Sequence, residues 1–537
     1  MKRYRVNRKG SLPKFFAYTV SCLWLLGVSV ATVAAPETQS AGNNNTQPLV
    51  YSQYTQDGSV DRNTVIMLAK QLAQKPYQAP QVPLSDSLKN LSLAQYQNIL
   101  FQPNQALWAQ DNLPFQMQLF MRGSYFDDPV EIGIVDGGHS THLPYSPDYF
   151  VSGSDQPLDL PKDDIGFSGF SLYYRLNQPQ IYNKAIQFQG ASYFQAIGKG
   201  ETWGASARGL AINTADPKGE EVPRFRAFWV SKPSVSSNSL VVNALLDSPS
   251  VTGAYRFTIR PGDSTNVDVE VALFPRQDLS KVGLSPMNSM YMFSGNDRRG
   301  IDDYRPQVHN SDGLLMVNGK GERLWRPLAN PTTLQISGFV DDAPIGFGLM
   351  QRDRKFADYQ DLVANFQDRP SLWVEPIGNW GQGSVTLIEI PSDDEIHANI
   401  VAYWSPKQPL KAETEYDFSY RLHWGQAPHP AINEYVVSST ISGHTKGAAN
   451  NTDRHFVVDY TPTGNSLPAD GDVPTINVTT TAGAVKEVQV VKNPHTKGYR
   501  LSFDLEPGDA RAAELRAELS FADSRKAETW LYRWTAK

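Results

Sequence analysis

Tyr255-Arg-Phe-Thr-Ile259 and, after a short polar gap, Asn266-Val-Asp-Val-Glu-Val271 place an apolar side chain at every second residue. That period sends one set of side chains to a buried face and the other to water, the pattern of a half-buried strand. The same reading extends outward from Phe115. Val385-Thr-Leu-Ile-Glu-Ile390 and Asn399-Ile-Val-Ala-Tyr-Trp404 are further strands around a polar loop, Ser392–Ala398, and Thr414–Trp424 is a long one. Strand follows strand with no amphipathic helix between, so the sequence predicts an all-β protein with a large antiparallel β-sandwich, not a doubly wound sheet.

Two helical patterns precede the strands: Val65, Leu68 and Leu72 share one face, and Ser92 is an N-cap for a helix running through Ile99. Past Trp424, Gly425-Gln-Ala-Pro-His-Pro430 supplies turn chemistry and the expected boundary. Short strands follow at His455–Tyr460, Glu487–Val491, Tyr499–Phe503, Glu514–Phe521 and Thr529–Tyr532, although Glu514–Phe521 also has helix-forming composition. Their spacing fits a small Ig-like β-sandwich of about 100 residues. The expected organisation is a signal peptide over 1–35, a flexible Asn-rich segment over 36–55, a large sandwich over 56–424 and the Ig-like module over 425–537. No internal repeat is visible.

The leader rests on three features. Lys2, Arg3, Arg5, Arg8, Lys9 and Lys14 precede an apolar run from Phe15 to Val30, and small residues from Ala31 to Ala35 follow. That is the order of a secretory signal; a membrane anchor is the alternative, since the run almost spans a bilayer. The one cysteine, Cys22, lies inside the apolar run with Leu23-Trp-Leu-Leu26 after it, so it is not placed for lipidation. A chain cleaved after this region contains no cysteine, which removes disulfides, thiolate nucleophiles and cysteine-bound metals together. It keeps 43 basic against 55 acidic residues, a net charge of −12. Such a balance argues against nucleic acid as a partner, because phosphate binding needs clustered Lys and Arg.

The chain carries no phosphate-binding Gly-rich loop, no dinucleotide fingerprint, no G-x-S-x-G elbow and no H-E-x-x-H, and no cofactor is expected. His139 and His142 have the spacing of an incidental metal pair but are expected as solvated loop histidines without carboxylate support. Carboxylates and aromatics remain, the side chains that meet sugar hydroxyls and sugar C–H faces. Cleaving a glycosidic bond ordinarily takes two carboxyl groups, an acid and a base or nucleophile. Asp302-Asp-Tyr-Arg-Pro-Gln-Val-His-Asn-Ser-Asp312 reads either as a cleft-lining loop or as an exposed loop with its own Asx-turn and ion pairs. Asp393-Asp-Glu-Ile-His-Ala-Asn399, between two strands, reads either as a second wall of the cleft or as a solvated hairpin tip. Trp325, Tyr359, Trp373, Trp380 and Trp404 are candidate sugar platforms, with core packing as the alternative. Arg305 and Arg369, each followed by Pro, orient hydroxyls or carboxylates, or pair with Asp303 and Asp368.

A series of longer strings narrows these choices. Gly190-Ala-Ser-Tyr-Phe194, Ser206-Ala-Arg-Gly-Leu-Ala-Ile212, Ala244-Leu-Leu-Asp-Ser248, Thr252-Gly-Ala-Tyr255, Tyr304-Arg-Pro-Gln-Val-His309, Trp325-Arg-Pro-Leu328 and Arg369-Pro-Ser-Leu-Trp-Val-Glu-Pro376 occur in that order. Together they resemble the OpgG/OpgD family, periplasmic proteins of Gram-negative bacteria that make osmoregulated periplasmic glucans. The resemblance runs from about Val65 to Trp534. It implies a periplasmic location, a large sandwich followed by an Ig-like domain, β-1,2-linked glucan as ligand, and inner-membrane glucan-synthesis components as further partners. Hydrolysing members of the family invert the anomeric centre through a water-mediated proton relay. It implies a sugar-binding set of Tyr304, Arg305, His309, Asp312, Trp325, Tyr359 and Trp373.

The resemblance also marks a departure. The family's two catalytic carboxylates fall in a His-Asp-Ser-Asp string and a Glu-Thr-x-Asp-Asn-Ile string. Here the matching residues read His309-Asn310-Ser311-Asp312 and Glu395-Ile-His-Ala-Asn-Ile400, so Asn310 and Ala398 stand at the two positions. An amide has no useful pKa and a methyl group has no proton to give. General acid–base catalysis supplies roughly 10²–10⁴-fold per group, so the expectation is glucan binding with little or no hydrolysis. The competing expectation is an active β-1,2-glucanase or transglycosylase that uses displaced groups, namely Asp312, Glu395 or His397. A third is an interaction protein whose cleft is vestigial.

Overall fold

The computed structural model describes residues 58–153, 160–427, 434–446, 453–463, 473–522 and 525–536. The leader and the Asn-rich segment therefore lie outside the described residues, as does half of the boundary loop. The alternating stretch behaves as its pattern requires. Val251–Arg260 and Thr265–Pro275 pair antiparallel with Ile259 opposite Val267 and Phe257 opposite Val269. Tyr255, Phe257, Ile259, Val267, Val269 and Val271 all enter one large core, while Arg256 reaches Glu270 on the other face at 2.9 Å.

That core lies between two sheets. One has ten strands: Phe115–Phe120, Gly169–Gln178, Ile181–Gln189, Tyr193–Ala196, Ser206–Arg208, Val282–Ser289, Ile400–Pro406, Gln382–Glu389 and Gln335–Asp342 in spatial order, with Leu210–Ile212 also pairing Val282–Ser289. The other has fourteen strands and runs from Thr475–Thr480 at one edge to His139–His142 at the opposite edge. The protein is all-β, and its pairing is antiparallel apart from three joints between distant segments. One parallel joint sets Leu324 and Trp325 beside Thr529 and Trp530. The last long strand, Thr529–Thr535, thereby extends the large sheet, so the C-terminal strands share a sheet with the rest. With a five-stranded sheet that includes Glu434–His444 and Arg454–Pro462 they enclose a second core around Phe456, Phe503 and Trp530. Ala512–Ser520 is a strand despite its helix-forming composition, because Ala513, Leu515, Ala517 and Leu519 alternate into that core.

Both helical patterns form. Arg62–Ala73 is capped by Asp61 and packs Val65 and Ala69 against Trp229 and Phe274. The helix capped by Ser92 spans Leu93–Gln97 and stops short of Ile99, which opens a strand instead.

Candidate functional site

Ser289, Met290 and Tyr291 join the two expected constellations. Tyr291 pairs with His309 across a short ladder, and the Asn310 N–H donates to the Met290 carbonyl at 2.8 Å. On the other side, Tyr291 N–H donates to Asn399 Oδ1 and Asn399 Nδ2 donates back to the Tyr291 carbonyl, both at 2.8 Å. Ser289 Oγ meets Ser311 Oγ at 2.8 Å. Asn310 and the residue after Ala398 thus flank one three-residue segment, which explains how two strings far apart in sequence come to one place.

At the first position, Asn310 is buried and its Oδ1 accepts from the Arg369 guanidinium, which lies over the Phe366 ring at 4.2 Å and also donates to the Ala364 carbonyl at 3.0 Å. Arg369 thus orients the amide. His309 is sandwiched between Tyr291 and Tyr359, with ring centroids at 5.5 and 5.3 Å. Gln351 Nε2 donates to the His309 and Phe366 carbonyls, so its Oε1 is fixed as acceptor for His309 Nδ1 at 2.8 Å. Burial, aided by Arg369, pushes the imidazole down to about 3.

Asp312 faces inward. One oxygen accepts from the Arg352 N–H at 2.9 Å and the other is buried without a partner. Burial first, then the neighbouring Asp353 carboxyl, raises its pKa above the carboxylate range; Asp353 is raised by burial as well. Arg352 carries the connection onward, stacking 3.5 Å over Trp325 and donating to both oxygens of the buried Glu528 at 2.8 and 2.7 Å.

The second position is looser. Ser392–Ala398 is an irregular loop before the strand Ile400–Pro406, tied at its start by Asn330 and turned by Asp394 Oδ1, which accepts from Ile396 N–H at 2.7 Å. Ala398 and His397 are half-buried, and His397 Nδ1 has no partner. Glu395 pairs with Arg305 at 2.9 Å, and the same guanidinium binds Asp303 at 2.8 Å and Asp361 at 3.0 Å. One cation therefore ties three loops together, and the Asx-turn expected in the first loop is present, with Arg305 N–H on Asp303 Oδ1 at 2.8 Å.

Several site expectations need correction. Trp325 and Trp373 belong to the second core, Trp404 and Trp380 to the first, and Tyr359 is fully buried against His309 and Phe366. None of these offers a ring face to a sugar, since filling each sandwich consumed it. Tyr304 is 77% exposed and is the aromatic of the set that a ligand reaches. His139 and His142 lie on a strand, not in a loop, and His142 does have carboxylate support, Asp164 at 3.0 Å. No group of three metal-ligating side chains occurs among the described residues. Sequence reading missed Asp353, Asp361 and Gln351, which sit in loops with no periodic signal, and Glu201. Burial raises Glu201 to about 7, and its loop donates Thr202 N–H to the Asp368 carbonyl at 2.9 Å beside Arg369.

The family model described as "Periplasmic glucan biosynthesis protein, MdoG" matches residues 60–534. A "Glucans biosynthesis protein G" from Vibrio cholerae serotype O1 is 55% identical over 483 residues, covering 90% of this chain and 88% of the relative. A protein of the same description from Shewanella sp. strain ANA-3 is 51% identical, covering 93% and 94%. Among solved structures, a galactose mutarotase related enzyme from Lactobacillus acidophilus is similar over 44% of this chain and 96% of its own at 8% identity and a TM-score of 0.20, too low to carry an argument.

Proposed function

This chain belongs to the family of periplasmic glucan biosynthesis proteins, and on that premise we propose that it binds β-1,2-linked glucan where three loops meet over Ser289–Tyr291, with little or no hydrolysis. The observation that carries the second half is chemical. Asn310 is held by Arg369 as a hydrogen-bond acceptor, and Ala398 presents a methyl group, so neither position flanking the segment moves a proton. Arg305, Asp312 and Tyr304 remain as the polar and aromatic groups around it, with His309 buried behind them, and they suit a neutral ligand with many hydroxyls. Export through the 1–35 leader, a module boundary near Gly425, an Ig-like C-terminal sandwich and contact with inner-membrane glucan-synthesis components belong to the same proposal.

Calorimetry with linear β-1,2-glucan at low and high salt tests the first half. Binding that changes little with salt is expected, because a neutral chain releases no condensed counterions; no binding at either salt refutes it. Reducing-sugar release from the same polymer tests the second half.

One observation favours the alternative of a displaced catalytic group. Asp312 is held protonated toward neutral pH and has an unpartnered oxygen, as a general acid requires. Glu395 is weaker in that role, since its carboxyl group is engaged by the Arg305 guanidinium. Robust wild-type hydrolysis abolished by Asp312→Asn would establish this alternative; negligible hydrolysis in both proteins would end it.

A further inference from the structure

The ten-stranded sheet ends at Gln335–Asp342, which pairs with Gln382–Glu389 on one side only. Backbone parity shows which of its groups face outward. In an antiparallel ladder the residues of a central strand bond alternately to one neighbour and to the other. Ile390 N–H donates to the Asn399 carbonyl at 2.8 Å and Lys407 N–H to the Gln382 carbonyl at 2.9 Å, so the even residues of Gln382–Glu389 bond to Ile400–Pro406. The odd residues are left for the edge strand, in step with Ala343 N–H on the Gly381 carbonyl at 2.9 Å. Their partners are Gln335, Ser337, Phe339 and Asp341. Ile336, Gly338 and Val340 therefore direct their N–H and C=O groups out of the sheet.

An open edge invites a further strand, and proteins blunt such edges with charge, proline or a bulge. The edge strand Ala484–Asn493 of the five-stranded sheet is blunted in this way, with Lys486, Glu487 and Lys492 and a register shift between Lys486 and Gln489. Nothing comparable guards Ile336–Val340. Its register is unbroken, and Ile336 and Val340 are 50% and 90% exposed. At the far end the turn at Gly319 closes the edge, its N–H donating to the Asp341 carboxylate at 3.1 Å.

This open stretch is complementary to itself. About a two-fold axis at Gly338, perpendicular to the sheet, Gly338 exchanges both backbone hydrogen bonds with the partner's Gly338. Ile336 then faces the partner's Val340, apolar against apolar, and no side chain collides at the axis. Asp341 of each copy stands about 20 Å from that of the other at a rise of about 3.3 Å per residue, beyond a Debye length of about 8 Å. A foreign strand would have to supply this register, whereas a second copy always carries it. We propose that Ile336–Val340 is the contact of a symmetric dimer of this protein, in which two ten-stranded sheets join edge to edge. Five residues a side bury less than the roughly 800 Å² per partner of a stable interface, so the dimer is reversible, with a Kd on the order of 10 μM.

Sedimentation velocity on the purified protein from about 1 to about 200 μM should show the mean mass rising toward twice that of one chain. Val340→Lys sets a charge on each side of the axis and should weaken self-association about tenfold or more. Because Val340 is exposed, the thermal unfolding midpoint of this variant should stay unchanged. Gly338→Cys reads the register, since the two Cα atoms of a hydrogen-bonded pair lie about 5.5 Å apart. An added Cβ there meets nothing nearer than Ser384 Oγ at 3.9 Å, so the variant should fold. A short bis-maleimide should join two chains of Gly338→Cys and not of the wild type. Monomer at every concentration overturns the proposal, whether or not a strand from another protein binds the edge. A dimer that folded Val340→Lys leaves as strong as before, or Gly338→Cys that does not crosslink, overturns it as well.

Discussion

Positions 310 and 398 carry side chains that cannot move a proton, and they do so in two different settings. Asn310 is buried, follows a strand, and has both its backbone N–H and its side-chain oxygen engaged by Met290 and Arg369. Ala398 sits half-buried at the end of an irregular loop whose acids point to solvent or to Arg305. At the first, an amide has a carboxylate's shape and hydrogen-bonds through its oxygen but has no titratable proton. At the second, charge, reach and shape are all absent. The comparison teaches that position 310 is constrained by the packing and hydrogen bonds around it, whereas the irregular loop around position 398 constrains its side chain far less.

The sharpest test restores the missing groups. Asn310→Asp with Ala398→Asp should raise hydrolysis of β-1,2-glucan by about 10² or more over either single change, because acid and base act as a unit. Equal rates in the double and single variants, read as reducing-sugar release, would break the comparison. Next in size is Arg369→Ala, which removes a buried cation stacked on Phe366 and leaves Asn310 Oδ1 without its donor. A loss of about 2–4 kcal/mol in denaturant unfolding is expected, whereas Ala398→Ser should change stability by less than about 0.5 kcal/mol.

The third test concerns pH. Folding raises Asp312 from its ordinary 3.8 up to about 7, so between those values the folded protein holds a proton that the unfolded chain has released. Stability from this group therefore falls as pH rises through that window and stays low above it. In Asp312→Asn the fall should shrink, measured as unfolding midpoints from pH 4 to 8, with the variant gaining on the wild type at the alkaline end. His309 works in the opposite sense: its lowered pKa contributes stability above pH 6.5 that is lost as pH drops toward 3. The smallest effect belongs to Glu395→Gln. It removes one of three carboxylates from a partly exposed Arg305, so about 1 kcal/mol or less is at stake. Its signature is faster amide exchange in 391–399 with no change at 308–313.

Much of this was legible in the sequence because periodicity is local. The alternation at Tyr255–Ile259 and Asn266–Val271 predicted strand and face, and Ser92 marked its helix start. The site was legible only as composition. The family resemblance set His309, Asn310 and Asp312 with the Ala398 loop, but nothing local says that Arg305 reaches Asp361 and Glu395, contacts set by how loops cross after the sandwich has formed. The aromatics failed for a related reason. A tryptophan carries the same side chain whether it fills a core or meets a sugar, and here Trp325, Trp373 and Trp404 fill cores. The parallel joint at Trp325 and Trp530 had no sequence signal at all.

That joint has a consequence for how the molecule assembles. Arg323–Pro327 lies between Gly313–Val317, its neighbour in sequence, and Thr529–Thr535, which is made long afterward. Until that late strand arrives, the earlier one presents an open edge, and Arg352 beside Asp312 waits for Glu528 to neutralise it. Non-local pairing of this kind is slow to form. The loops around Asp312 and the C-terminal strands therefore reach their final arrangement together, and a lesion in Thr529–Thr535 should be felt first at Asp312, in a part of the molecule that it never touches.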